Sequence, residues 1–363
     1  MRTPKMIAVI LALGTGLILT GCGDDSTSPG NRAPGTGLEA DPETVDPSGI
    51  SSITSTATDP DGDDLLYAWT AEAGTISGTG ATVTWTAPLA AGSYEISVTV
   101  DDGQGHTVSD TVEVEVRGGT LLLQCWDGLK AVGMDGSNFE IYNAYTYVEV
   151  LGTRIFVNAS DVREIDHTGN VIGGPGRPDE VTRVTDFAIL PDGGVAFLEN
   201  ETDSVFFVSP EGVFVDAVQL PEASSLSQGM SALVVGDDLI VSETGHGKLA
   251  RVGLTTRDVS IFKDLSHLSG WLGDIEFSNG KYYMTQWESL YEFTETGDPT
   301  EIVHFDDGFV LGVAIVGTSA FLADRGLGTV YRVDIPTGTV EVFAEGFDNP
   351  NEIEYLPTAL VAP

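Results

Sequence analysis

Between residues 93 and 116 apolar and polar residues alternate with a period of two. In SYEISVTVDDG, Tyr94, Ile96, Val98 and Val100 fall on one side, with Glu95, Ser97 and Thr99 on the other. TVEVEV repeats the device with Val112, Val114 and Val116 against Glu113 and Glu115. That period predicts half-buried strands, and the DDGQGH turn between them predicts a hairpin. Further strands are expected at SSITSTATD, LLYAWTAE and ATVTWTAP, separated by Gly, Pro and Asp clusters. The sum is a small antiparallel sandwich over residues 35–117, behind a flexible polar tether at 22–34.

From residue 118 the pattern becomes a repeat, faint in identity but persistent in form. A strand ending in a tight turn recurs six times, as GLKAVGMDGSN, SDVREIDHTGN, SVFFVSPEG, GKLARVGLTTRD, ESLYEFTETGD and GTVYRVDIPTGT. All but the first follow another strand, and five inner strands precede those. Aligned, the inner strands place Thr146, Thr185, Met230, Leu272 and Leu311 in one register, at spacings of 39, 45, 42 and 39 residues. Four strands in about 40 residues is the spacing of a β-propeller blade. The first repeat, beginning TLLLQCW, lacks an inner strand, and NPNEIEYLP near the other end supplies one: Asn351 falls 40 residues after Leu311. The expected fold is therefore all-β, a β-sandwich followed by a six-bladed β-propeller at 118–357 closed by the C-terminal strand, with 358–363 as a tail. Closure leaves no long sheet edge open.

Composition narrows the function. The 363 residues exceed what one core usually serves, and 44 Gly with 17 Pro suit many turns. Acidic residues outnumber basic ones by 55 to 16, for a formal charge of −39. A phosphate backbone would be repelled, so nucleic acid is not an expected partner.

Arg2 and Lys5 precede an apolar run, Met6 to Leu19, that is short for a membrane span but fits a signal-peptide core. LTGC, Leu19 to Cys22, then resembles the bacterial lipobox. The resemblance implies a signal peptide at 1–21, a mature chain beginning at acylated Cys22, and a membrane partner reached through that lipid. Gly23 after the cysteine favours the outer membrane, facing the periplasm or the cell surface. With Cys22 acylated, Cys125 has no partner for an intrachain disulfide, and its apolar surroundings predict a buried thiol.

The stretch from Arg32 to Val116 resembles bacterial Ig-like domains of the PKD type, through DPDGDDLLYAW and GSYEISVTVDDGQG. Trp69 is then expected as the core tryptophan and Tyr94 as a tyrosine corner. Asp59, Asp61 and Asp63 alternate around Gly62, which suits either Ca²⁺ or a plain turn. No cofactor is otherwise expected. The later repeats resemble the NHL and regucalcin/gluconolactonase groups, through ETGHGKLARVGLTTRD, ADRGLGTVYRVDIPTG and NPNEIEYLP. Blade order places Trp126, Glu243, His246, Trp271, Trp287, Asp324, Arg325 and Asn351 around one mouth, a mixture suited to a small polar ligand or a protein. The resemblance also implies a divalent-metal ring at the first inner-strand positions. Here that ring reads Thr146, Thr185, Met230, Leu272, Leu311 and Asn351, so only Asn351 matches, with Asp186, Asp274 and Glu352 one or two residues further on as a shifted acidic set. The leading expectation is a lipid-anchored binding platform; the alternative is a metal-dependent hydrolase or lyase acting on a small polar substrate.

Overall fold

A computed structural model describes residues 30–142, 146–158, 161–182, 184–199, 202–221, 230–243, 247–268 and 271–358; Cys22 and His246 lie outside them. The described residues form strands and turns, with no helix long and apolar enough to cross a membrane.

The N-terminal sandwich is built from two four-stranded sheets. One orders Leu38–Asp41, Ile50–Ser55, Thr82–Thr86 and Thr75–Ser77; the other orders Thr44–Val45, Thr107–Val116, Gly92–Asp101 and Leu66–Ala71. The alternation read from SYEISVTV and TVEVEV is the pairing observed: Tyr94 faces Val114, Ile96 faces Val112 and Val98 faces Asp110. Tyr94 donates its hydroxyl hydrogen to the Ala90 carbonyl at 2.8 Å. The core tryptophan, however, is Trp85 and not Trp69. Trp85 is fully buried and donates its indole N–H to the Ala73 carbonyl at 2.9 Å. Trp69 is only partly buried, because its strand lies at a sheet edge and its indole reaches out to the Gly80 carbonyl.

Residues 120–356 form six four-stranded antiparallel sheets. Five follow chain order, their first strands being Tyr147–Leu151, Val184–Ile189, Met230–Val235, Leu272–Ser278 and Val310–Val316. The first sheet instead takes its inner strand, Glu352–Leu356, from the far end of the chain, with Ile353 opposite Leu123 and Leu356 opposite Thr120. Each inner strand touches the next, and Glu352–Leu356 touches both Val310–Val316 and Tyr147–Leu151. Six apolar clusters lie between successive sheets; the one joining sixth to first packs Leu121, Leu123 and Ile353 on Val316, Phe321 and Val330. Burial of such flat, β-branched and aromatic faces is the main force holding one sheet to the next.

The sandwich is bound to the sixth sheet by hydrogen bonds. Ser48, fully buried and with φ of 55°, accepts at its carbonyl from the Thr318 amide (3.0 Å) and hydroxyl (3.3 Å). Its hydroxyl meets Ser319 at 3.0 Å and Arg332 at 3.4 Å. Gly317, at φ 59°, makes room for this: a Cβ there would stand 2.2 Å from the Ser48 carbonyl oxygen.

Candidate functional site

The six inner strands carry six acidic residues and no basic one: Glu149, Asp186, Asp274, Glu276, Glu352 and Glu354. Their arrangement follows a rule. In alternate sheets a carboxylate near the start of the inner strand accepts the backbone N–H of the next inner strand: Glu352 from Val148 (2.9 Å), Asp186 from Ala232 (2.8 Å) and Asp274 from Val313 (3.1 Å). Asp274 also accepts the Ser231 hydroxyl at 2.7 Å. Enclosure by protein desolvates the carboxylates although five of the six keep partial exposure in the channel that the six inner strands surround; Asp186 alone is withdrawn, at 5% exposure. Burial pushes Asp186 up to about 8, against the Ala232 amide, and Asp274 up to about 6, against Ser231 and Val313. Glu276 is pushed up to about 8 by burial and then by Asp274. Glu149, Glu352 and Glu354 are raised by burial and then by neighbouring carboxylates. Oδ1 of Asp186 has no donor, and the Asp186 carboxyl meets that of Glu352, an approach that is attractive only while one of the two keeps a proton.

Sequence reasoning found Asp186, Asp274 and Glu352 and missed Glu149, Glu276 and Glu354. The signal was available: two residues along a strand returns a side chain to the same face, so Glu276 and Glu354 follow from Asp274 and Glu352. Among the described residues no group of three or more His, Cys, Asp or Glu side chains is placed to hold a metal ion.

Above the inner-strand entrances lies an aromatic ladder. Trp271, immediately before the fifth inner strand, meets Trp287 with ring centroids 5.4 Å apart; Trp287 meets Phe309 at 5.6 Å. The Arg325 guanidinium sits 5.9 Å from the Phe309 ring and 5.7 Å from the Trp126 ring. Trp287, Arg325 and Trp126 occupy equivalent turns, each following the second strand of the fifth, sixth and first sheets. Backbone bonds tie each of those turns to the entrance of an inner strand. The Val310 amide donates to the Trp287 carbonyl (2.7 Å), Arg325 to Phe309 (3.0 Å) and Trp126 to Asp348 (2.9 Å). Trp287 holds a left-handed backbone, φ 47°, uncommon for a bulky residue and retained here at an exposed aromatic. Trp126, Trp271 and Trp287 remain 55%, 42% and 39% exposed.

The structure thus joins Trp126, Trp271, Trp287 and Arg325, and adds Phe309, which the sequence reading did not single out. Asp324 does not face the mouth with them. It is fully buried beneath the turn, its Oδ1 accepting the amides of Gly326 (2.8 Å) and Leu327 (3.0 Å), so it shapes the turn that carries Arg325. Asn351 donates its backbone N–H to the Gln124 carbonyl at 3.0 Å, just before the inner strand of the first sheet. Glu243 ends the second strand of the fourth sheet. In the sandwich, Asp59 accepts the amides of Asp61 (2.7 Å) and Asp63 (3.3 Å), and Arg32 pairs with Asp61 at 2.9 Å. That is turn chemistry, with one carboxylate already neutralised. Cys125 is fully buried, its thiol pushed up to about 12 by burial and then by Asp127.

Residues 31–115 match the family described as a bacterial Ig domain. No curated protein matches the chain. Among solved structures, a chain of the nidogen/laminin complex superposes with a TM-score of 0.54 at 9% identity, over 67% of this chain and 100% of that one. A protein of unknown function from Bacteroides caccae does so with a TM-score of 0.53 at 13% identity, over 66% and 98%. Virginiamycin B lyase from Staphylococcus aureus gives 0.47 at 12%, over 79% and 92%. At these identities the likeness is one of fold.

Proposed function

We propose that this protein is an extracytoplasmic binding platform: a six-bladed propeller, closed by its C-terminal strand, held out by an Ig domain on a lipid-anchored tether. The observation that carries the reading is the run Trp271, Trp287, Phe309, Arg325 and Trp126, its three tryptophans exposed yet its turns fixed by backbone hydrogen bonds. Exposed aromatics held rigid lose little entropy when a ligand covers them, and tryptophan and arginine dominate the energetics of binding surfaces. The lipobox-like LTGC supports anchoring through Cys22 at the outer membrane, and the net charge of −39 argues against nucleic acid as the ligand. The likeness of GKLARVGLTTRD and GTVYRVDIPTG to NHL and regucalcin repeats supports the blade count and leaves activity open.

Two experiments test this. Cys22→Ser is expected to leave an unprocessed, unlipidated precursor by mass spectrometry; an identical unlipidated mature N-terminus in both proteins rejects the anchor. Titration of the full chain with a panel of saccharides, peptides and small metabolites, followed by tryptophan fluorescence, is expected to give a saturable change lost in Trp287→Ala. No saturable change with any member rejects the platform.

A metal-dependent hydrolase or lyase is the second reading, favoured by the donorless oxygen of Asp186 in the acidic channel. Asp186, Asp274 and Glu352 would be the ligands, but their other oxygens already accept amide and hydroxyl hydrogens. The present geometry fits a metal poorly. Metal-dependent turnover of a lactone or ester, lost in Asp186→Asn and Asp274→Asn, would establish it over the platform.

A further inference from the structure

We propose that the ligand of the mouth is a small organic cation, an amine or quaternary ammonium, stacked on Trp271 and Trp287 with its charge toward the channel. The proposal rests on the binding-platform reading and names its ligand class.

Three independent observations lead there. The ladder already binds a cation: the Arg325 guanidinium lies against Phe309 and Trp126, while the Trp271–Trp287 pair beside it has no such partner among the described cation–π contacts. Indole is the best face for a cation, whose attraction to the ring quadrupole grows as water is excluded. The rim is acidic. Asp127, Asp306, Asp307 and Asp348 flank the ladder and are exposed, with Asp127 paired to Lys130 and Asp306 within 4.0 Å of His304. Below, Asp274 stands three residues after Trp271, on the inner strand that Trp271 precedes, in a channel whose strands carry six carboxylates and no basic side chain. The negative field at the mouth therefore comes from the exposed rim carboxylates, while Asp186 in the channel keeps its proton up to about pH 8. An anionic ligand would meet this field unfavourably; a neutral one would gain nothing from it.

The test sets charge against shape. Choline and butylammonium are titrated into the full-length protein, with 3,3-dimethylbutan-1-ol and butanol as their uncharged counterparts, by calorimetry and tryptophan fluorescence. The expected result is binding of at least one cation about tenfold or more tighter than its counterpart, weakening in high salt as an exposed charge interaction must. Trp271→Ala and Trp287→Ala should each cost about tenfold, and Trp287→Phe, which keeps an aromatic face, should cost less. The thermal transition of each variant shows whether the fold is retained. Equal affinity for cation and counterpart overturns the cation proposal while leaving a ligand on the ladder. Absence of binding by both cations also overturns it, and the platform reading then stands or falls on the wider panel.

Discussion

At the scale of single residues, position within a sheet decides what a side chain does more than its chemical type. Two tryptophans of the Ig domain show it. Trp85 is central, fully buried and hydrogen-bonded; Trp69 lies on an edge strand and is half covered. Trp85→Ala is therefore expected to cost about 3–5 kcal/mol of Ig-domain stability by chemical denaturation, and Trp69→Ala distinctly less. Gly317 is the second sensitive residue. Any side chain there would strain a φ of 59° and drive a Cβ into the Ser48 carbonyl. Gly317→Ala is expected to lower the melting temperature of the sixth sheet and free the Ig domain to reorient, measured by small-angle scattering; an unchanged envelope and transition would show that the junction is loose.

At the scale of elements, the strand Glu352–Leu356 matters most for its size. It supplies five residues, yet it covers the edge of Thr120–Cys125 and brings Ile353 into the cluster between the sixth and first sheets. Deletion of residues 348–363 is expected to abolish the cooperative transition of the six-sheet region while leaving that of the Ig domain. Two unchanged transitions would refute the closing role. This strand was legible in the sequence because the repeat spacing left one inner strand missing and EIEYL alternates in the right register. The aromatic ladder was legible only in part. Trp126, Trp271, Trp287 and Arg325 stood out as exposed types at turns, but Phe309 joins them through a contact between neighbouring sheets that no spacing within one repeat encodes. Trp69 was misassigned for a related reason: both tryptophans lie in alternating strands, and alternation does not tell a central strand from an edge one.

At the scale of the molecule, the acidic channel makes stability depend on pH in an unusual direction. Asp186 and Glu276 are raised to about 8 and Asp274 to about 6 in the folded protein, above ordinary carboxylate values. The native state thus holds more protons than the unfolded chain between about pH 4 and 8. Their contribution is fully present below the unfolded pKa and is lost as pH rises through the folded values. The melting temperature of the six-sheet region is expected to fall from pH 5 to pH 8.5, and Asp186→Asn with Glu276→Gln should flatten that slope; a rise across the window would contradict the protonated channel. Below it Asp102 and Asp166 work the other way. Burial opposes ionisation of Asp102, but amides of His106 and Gln104 hold it at about 2; the Thr168 hydroxyl and the Asn170 and Thr168 amides do the same for Asp166.

The pairing of Leu356 with Thr120 also sets a clock. The two residues are more than two hundred positions apart, so at about 5–20 residues per second the ribosome separates their appearance by roughly ten to fifty seconds. Throughout that interval the first sheet lacks its inner strand, and the set of six four-stranded sheets stays incomplete. Until Leu356 has been made, the backbone edge of Thr120–Cys125 has no native partner on that side, so the first sheet, begun before the other five, is the last to be completed.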